Sequence, residues 1–226
     1  YFKIKNYRKK INKSDKKINK ISIFPISQSP LRIINATIIN KLAYKLNNYS
    51  INVILDKSSD ISNNLEKLID SKNINKIYPQ NINELIKEIE KVEFGIFPDS
   101  GPLHIAKILG IRGVLLTTTV AGDKLLNGFD SIKEIVNDYK SKYCSAPCGL
   151  TNIFNYNNSV GCYDSLKISK NIILNLKNFN MLQRGSLKKS YIKFVNNPVN
   201  CHSNINFNVL YKHIIDKLKD YESGHS

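Results

Sequence analysis

Phe94-Gly95-Ile96-Phe97-Pro98-Asp99-Ser100-Gly101-Pro102-Leu103-His104 is the stretch whose reading decides the fold. Phe94–Phe97 reads as a short buried strand that Pro98 ends, and Leu103–Leu109 as a helix closed by Gly110. Between them, Gly101 lets the backbone come close to a ligand, and Pro102 suits a first helical turn, where its missing N–H costs nothing. The free N–H groups and the positive end of that helix make an anion site, to which Ser100 and His104 add side-chain donors. A diphosphate fits such a site. A plain helix cap by Asp99 or Ser100 explains the tetrapeptide alone equally well, so its setting has to decide.

The setting is a repeated strand-helix alternation. Upstream, Ile21–Phe24 is a β-type run stopped by Pro25, and after a Ser/Gln/Pro loop Ile38, Leu42 and Leu46 recur at helical spacing. Ile51–Leu55 then reads as a strand, 61–70 as a helix, Ile74–Tyr78 as a strand and 82–91 as a helix with Ile82, Leu85, Ile86 and Ile89 on one face. Gly113–Thr118 is the next strand. Strands separated by helices of about ten residues predict parallel βαβ units: an α/β, doubly wound, Rossmann-like sheet with helices on both faces. Ligands in such sheets bind beyond the carboxyl ends of the strands, which singles out the loops 25–32, 56–60, 79–81, 98–102 and 118–123. Neither G-x-G-x-x-G nor G-x-x-x-x-G-K-[ST] occurs, which disfavours dinucleotide oxidoreductases and phosphate-hydrolysing motors.

Past residue 140 the alternation gives way to a Cys, Gly, Asn and Tyr-containing stretch before a helix expected at roughly 164–178. Residues 1–20 read as a basic linker or the remnant of a preceding domain, 21–182 as the α/β domain, and 183–226 as a basic tail. In that tail Phe207, Leu210, Ile214 and Leu218 line one helical face, which docks on this domain or on another.

The 226 residues carry a net charge of +16, with 42% hydrophobic and 23% charged residues. The charge is terminal: residues 1–20 hold nine Lys/Arg against Asp15, and 183–226 hold seven against three acids. Without an aromatic-interleaved basic motif this predicts no nucleic-acid partner, while a peripheral contact with anionic membrane stays open. No run of eighteen apolar residues and no signal-peptide pattern is present, so a cytoplasmic protein is expected, at most peripheral at the inner face of the cytoplasmic membrane. Cys144, Cys148, Cys162 and Cys201 are too few for a disulfide scaffold. Cys144-x-x-x-Cys148 with Cys162 lacks a paired half for zinc, which favours free thiols; no metal and no cofactor is expected.

Asp99-Ser100-Gly101-Pro102-Leu103-His104 running into Ile105-Ala106-Lys107-Ile108-Leu109-Gly110 resembles the Asp-Ser/Thr-Gly-x-x-His segment of glycosyltransferase family 9, the ADP-heptose:lipopolysaccharide heptosyltransferases. Ile26-Ser27-Gln28-Ser29-Pro30-Leu31-Arg32 sits where that family carries a Ser/Thr-rich loop ending in a basic residue. The resemblance spans about residues 21–180 and implies the C-terminal, donor-binding half of an inverting, metal-independent GT-B enzyme. It implies that Ser100, Gly101 and His104 contact the donor diphosphate, in the helix start that includes Pro102 and Leu103, with Asp99 shaping the turn or meeting the sugar. Ser27, Ser29 and Arg32 close the site from the first loop, Arg32 standing where the family usually has Lys. The resemblance makes Asp56 and Asp60 competing candidates to hold the nucleoside, and implies that Thr118, among Thr117–Thr119, approaches the donor.

The same resemblance implies a nucleotide-diphosphate sugar as ligand, of ADP-heptose type, and a lipid-linked or oligosaccharide acceptor in lipopolysaccharide or cell-surface glycan synthesis. The family's acceptor site and catalytic base belong to an N-terminal domain, so the base is expected outside this chain, which opens on Tyr1. A non-catalytic nucleotide-sugar-binding module and a sugar-nucleotide epimerase of the same fold are the alternatives.

Overall fold

The computed structural model describes residues 17–70, 72–150, 154–156, 159–175 and 188–223. Up to residue 16 the expected basic linker lies outside them. Six strands form one parallel sheet: β1 (Lys20–Ile23), β2 (Ser50–Ile54), β3 (Ile74–Ile77), β4 (Phe94–Phe97), β5 (Gly113–Leu116) and β6 (Ile132–Ile135). Their spatial order is β3-β2-β1-β4-β5-β6. The first three strands wind outward one way and the next three the other, so the chain reverses direction between β1 and β4 and leaves a crevice there. The expected α/β, doubly wound class is the one observed.

Helices α1 (Ala36–Lys45), α2 (Asp60–Lys67), α3 (Ile82–Glu90), α4 (Gly101–Leu109) and α5 (Gly122–Leu126) follow the first five strands in turn. Asn35, Ser59 and Asn81 cap α1, α2 and α3 by accepting the N–H of Ile38, Ser62 and Glu84. Each short polar residue takes up an N–H that the helix itself cannot pair. Gly110, left-handed at φ 69°, ends α4.

The two faces of the sheet feed separate cores. On one, Ile21, Ile23, Ile51, Val53, Phe94, Ile96, Val114 and Leu116 pack under α1. On the other, Phe24, Ile54, Phe97, Leu115 and Ile132 meet Ile89 of α3 with Leu103 and Ala106 of α4. That second face also carries a cross-sheet row of small or polar residues, Asn75, Asn52, Ser22, Gly95 and Gly113, paired neighbour to neighbour. At Gly113 a Cβ would stand 2.2 Å from the Gly95 carbonyl oxygen, so the glycine lets β4 and β5 pair there.

After the sheet come a hairpin, β7 (Phe154–Tyr156) with β8 (Ser159–Gly161), then α6 (Lys170–Leu174), α7 (Lys188–Asn196), α8 (Asn200–Ser203) and α9 (Phe207–Glu222). The helix expected at 164–178 is shorter. Residues 163–167 are a turn with Lys167 at φ 57°, a conformation no right-handed helix passes through, and α6 follows it; residues 176–178 lie outside the described ones. The amphipathic segment docks on this domain: Leu210, Ile214, Leu218 and Tyr221 of α9 are buried in the same core as the first sheet face. Phe94 and Tyr221 meet edge to face at 5.9 Å. Strand β6, which opens on Ile132 and closes on Ile135 around Lys133 and Glu134, is one the apolar pattern did not announce.

Candidate functional site

The loops after β1, β2 and β4 and the first turn of α4 enclose a cleft of about 690 Å³ over the β1/β4 crevice. Ser27, Arg32, Asp56, Asp60, Asp99, Ser100, Gly101, Pro102 and His104 line it, as do Gln28, Ser58, Ser59 and Ile192. Three loops distant in sequence thus supply most of the expected site residues.

The remaining three stand elsewhere. Ser29 is fully buried: its Oγ accepts the N–H of Leu31 and its carbonyl accepts that of Arg32, so it builds the turn that presents Arg32. Leu103 is fully buried in the α4 core, where its side chain anchors the helix while the first turn faces the cleft. Thr118 follows β5, which ends at Leu116 rather than Thr118, and its buried Oγ1 has no hydrogen-bond partner. The start of that loop is held by Glu134, whose Oε1 accepts from Thr117 Oγ1 at 2.6 Å and from Gly122 N at 2.8 Å.

Arg32 and Asp99 form an ion pair at 2.9 Å on the cleft floor, their side chains 18% and 10% exposed. The pair uses one guanidinium nitrogen. Arg32 Nε is buried without a partner, and so is the Oγ of Ser100, which occupies the N-cap position of α4 yet makes no capping bond. An unpaired buried polar group costs about 1–3 kcal/mol, and both of these groups belong to residues that line the cleft. Gly101 adds room: a Cβ there would meet nothing within 4 Å. The helix begins at Gly101, not Leu103, which brings Gly101 and Pro102 into its first turn. His104 follows, its imidazole held below the ordinary value by desolvation first and by Lys107 second, with Asp99 opposing. It is therefore neutral near pH 7 and offers one ring N–H.

The two acids expected to compete for a nucleoside are both on the cleft. Asp56 turns inward on its own loop, its Oδ1 accepting from Ser58 N at 2.8 Å and Ser58 Oγ at 2.6 Å. Asp60 is the first residue of α2. Asp56, Ser58, Ile26 and Pro102 also border a second chamber of about 330 Å³ that reaches between the loops after β2 and β3. Phe24, Ile54, Leu55, Pro79, Ile82 and Leu85 make it apolar, and Gln80 and Asn81 supply its polar edge. Sequence reasoning missed this chamber, because its apolar walls read as strand ends and a helix face.

The cysteines are free thiols, and burial pushes Cys148 up, Cys162 well up and Cys201 to about 12, which keeps them protonated and packed. Among the described residues no group of three or more His, Cys, Asp or Glu side chains is disposed to hold a metal ion, and no helix is long and apolar enough to cross a membrane.

No protein-family model and no curated protein matches the chain. Among solved structures it is similar to Escherichia coli ADP-heptose lipopolysaccharide heptosyltransferase II, at 14% identity and a TM-score of 0.46, over 59% of this chain and 42% of that one. Similarity to the E. coli heptosyltransferase WaaC with ADP is 8% in identity and 0.43 in TM-score, over 52% and 37% of the two chains. For the iron-containing dodecameric glycosyltransferase TibC of enterotoxigenic E. coli H10407 the values are 14%, 0.45, 89% and 46%. The chain spans less than half the length of each, and what it is similar to are glycosyltransferases, heptosyltransferases among them.

Proposed function

We propose that this chain is the donor-binding half of an inverting, heptosyltransferase-like glycosyltransferase and holds a nucleoside diphosphate sugar of ADP-heptose type across its two chambers. One observation carries the reading. Arg32 with its unpaired Nε, Ser100 with its unpaired Oγ and the open first turn of α4 line one cleft at the strand-order reversal. The diphosphate sits on the α4 start, where backbone N–H groups and the helix dipole favour negative charge, with Arg32 and Ser27 closing from the first loop. The base enters the apolar chamber, and Asp56 and Asp60 approach the ribose.

In inverting transfer the acceptor hydroxyl loses a proton as it attacks the anomeric carbon, and the nucleoside diphosphate leaves with the bonding electron pair, one more negative charge to stabilise. The cleft serves that second need. The acceptor, lipid-linked or oligosaccharide, and the base that activates it belong to a further domain, at a cytoplasmic membrane face.

Asp56, Asp60, Asp99 and His104 on one cleft also support a second reading, an epimerase of the same fold acting through its own acids. Calorimetric titration with ADP, UDP and GDP decides the donor claim. Wild type binds at least one, and Gly101→Ala weakens that nucleotide roughly tenfold, about 1.4 kcal/mol, while its melting temperature holds. No binding of any of the three ends the donor reading, and epimerisation of an NDP-sugar by the chain alone moves it to the second.

A further inference from the structure

The polar chamber is completed by a residue from far outside the βα loops. Ile192, on α7, lines it together with Asp60 and Ile61 at the start of α2, and it does not border the apolar chamber. α7 packs along α2, and its roll is fixed by two buried neighbours. Phe194 enters the cluster of Leu31, Cys162 and Val199, and Val195 enters the core of the sheet. The next turn of chain is anchored to the first loop as well: Asn35 Nδ2 donates to the His202 carbonyl at 3.1 Å, and the buried His202 ring bonds the backbone of Leu31. Ile192 is therefore a held wall of the cleft and not a loose cover.

On the donor reading above, on which this inference rests, the nucleoside fills the apolar chamber and the diphosphate lies on α4. The group bonded to the distal phosphate then takes the rest of the polar chamber, beside Ile192. Apart from Ile26, Ile61, Gly101 and Pro102, the other walls there are Ser, Gln, Asp, Arg and His, able to bond hydroxyls in many arrangements. An isoleucine offers no such bond. Its β-branched side chain is stiff and selects by shape, accepting a C–H face of a sugar and refusing a bulky substituent. We propose that Ile192 is a specificity-determining residue for the glycosyl group carried on the diphosphate.

The natural chain contains no tryptophan, so Ile192→Trp reports on this wall alone by its fluorescence. The full chain and its Ile192→Trp and Ile192→Ala variants are titrated with ADP, ADP-glucose, UDP and UDP-glucose. Expected is a Kd for the preferred nucleoside diphosphate within about twofold of wild type in both variants, with its sugar nucleotide weakened roughly tenfold by Trp, and an emission change on adding the sugar nucleotide but not the diphosphate. Ile192→Ala, which adds no bulk to α7, shifts the ratio of the two affinities in the same assay. Equal changes for both ligands, or an unchanged ratio in the folded variants, overturn the assignment. Failure of wild type to bind any nucleotide is a separate result, which removes the donor reading and this inference together.

Discussion

His202 is 2% exposed, and burial pushes its imidazole down to about 4, against an ordinary value near 6.5. The folded protein keeps it neutral while the unfolded chain takes up a proton below pH 6.5. Stability is therefore undiminished above that pH and is lost as pH falls toward 4, by about 3 kcal/mol from this residue. The melting temperature of wild type should drop between pH 6.5 and 4 by more than that of His202→Asn, and equal drops would refute the assignment. At this scale the cleft was partly legible in the sequence. Asp99, Ser100, Gly101 and His104 announced themselves because turn chemistry, a helix start and a donor-rich hexapeptide coincide within six residues. His202 and Ile192 carried no local signal, since a buried histidine and a cleft isoleucine differ from surface or core examples only by what the fold brings against them. Ser29 misled for the converse reason: a serine that builds a turn and one that faces a ligand are the same residue in sequence.

Among the elements, the alternation of strands with amphipathic helices was readable because four strands are rich in Ile, Val, Leu or Phe over the right length, and β3 keeps Ile74 and Ile77 around Asn75 and Lys76 between two such helices. The sixth, like β3 polar in its middle at Lys133 and Glu134, lacked the helical cue as well, since the helix before it has five residues where the earlier ones have eight to ten. Strand order was not readable at all, because it depends on which crossovers pack and not on any one segment. The pairing of β4 with β5 makes the sharpest test of the sheet. Gly113→Ala would drive a Cβ into the Gly95 carbonyl, backbone that gives way only if the strands part. A loss of about 3 kcal/mol in urea unfolding is expected. Gly101→Ala serves as control, since open space above that residue predicts no such loss, and equal losses in the two variants would argue against the tight β4–β5 approach.

For the whole molecule, α9 is structural and not an appendage. Burying Leu210, Ile214, Leu218 and Tyr221 contributes about 1.5–3 kcal/mol each by transfer arithmetic, an upper estimate that still rivals the whole stability of a typical domain, about 5–15 kcal/mol. A chain cut after residue 206 should lose its cooperative urea transition and its near-ultraviolet dichroism; retention of both would show the sheet to be self-sufficient. The helix also ties distant parts of the chain together: the Ile18 N–H donates to Glu222 Oε1 at 3.2 Å, and Tyr221 donates its hydroxyl to the Ser131 carbonyl at 2.9 Å. On a ribosome, that lid on the core does not exist until some two hundred residues after the first strand has emerged. From its own synthesis until that point Phe94 and its apolar neighbours stand open to water, to other nascent chains and to chaperones, a hazard that ends only when synthesis reaches residue 222.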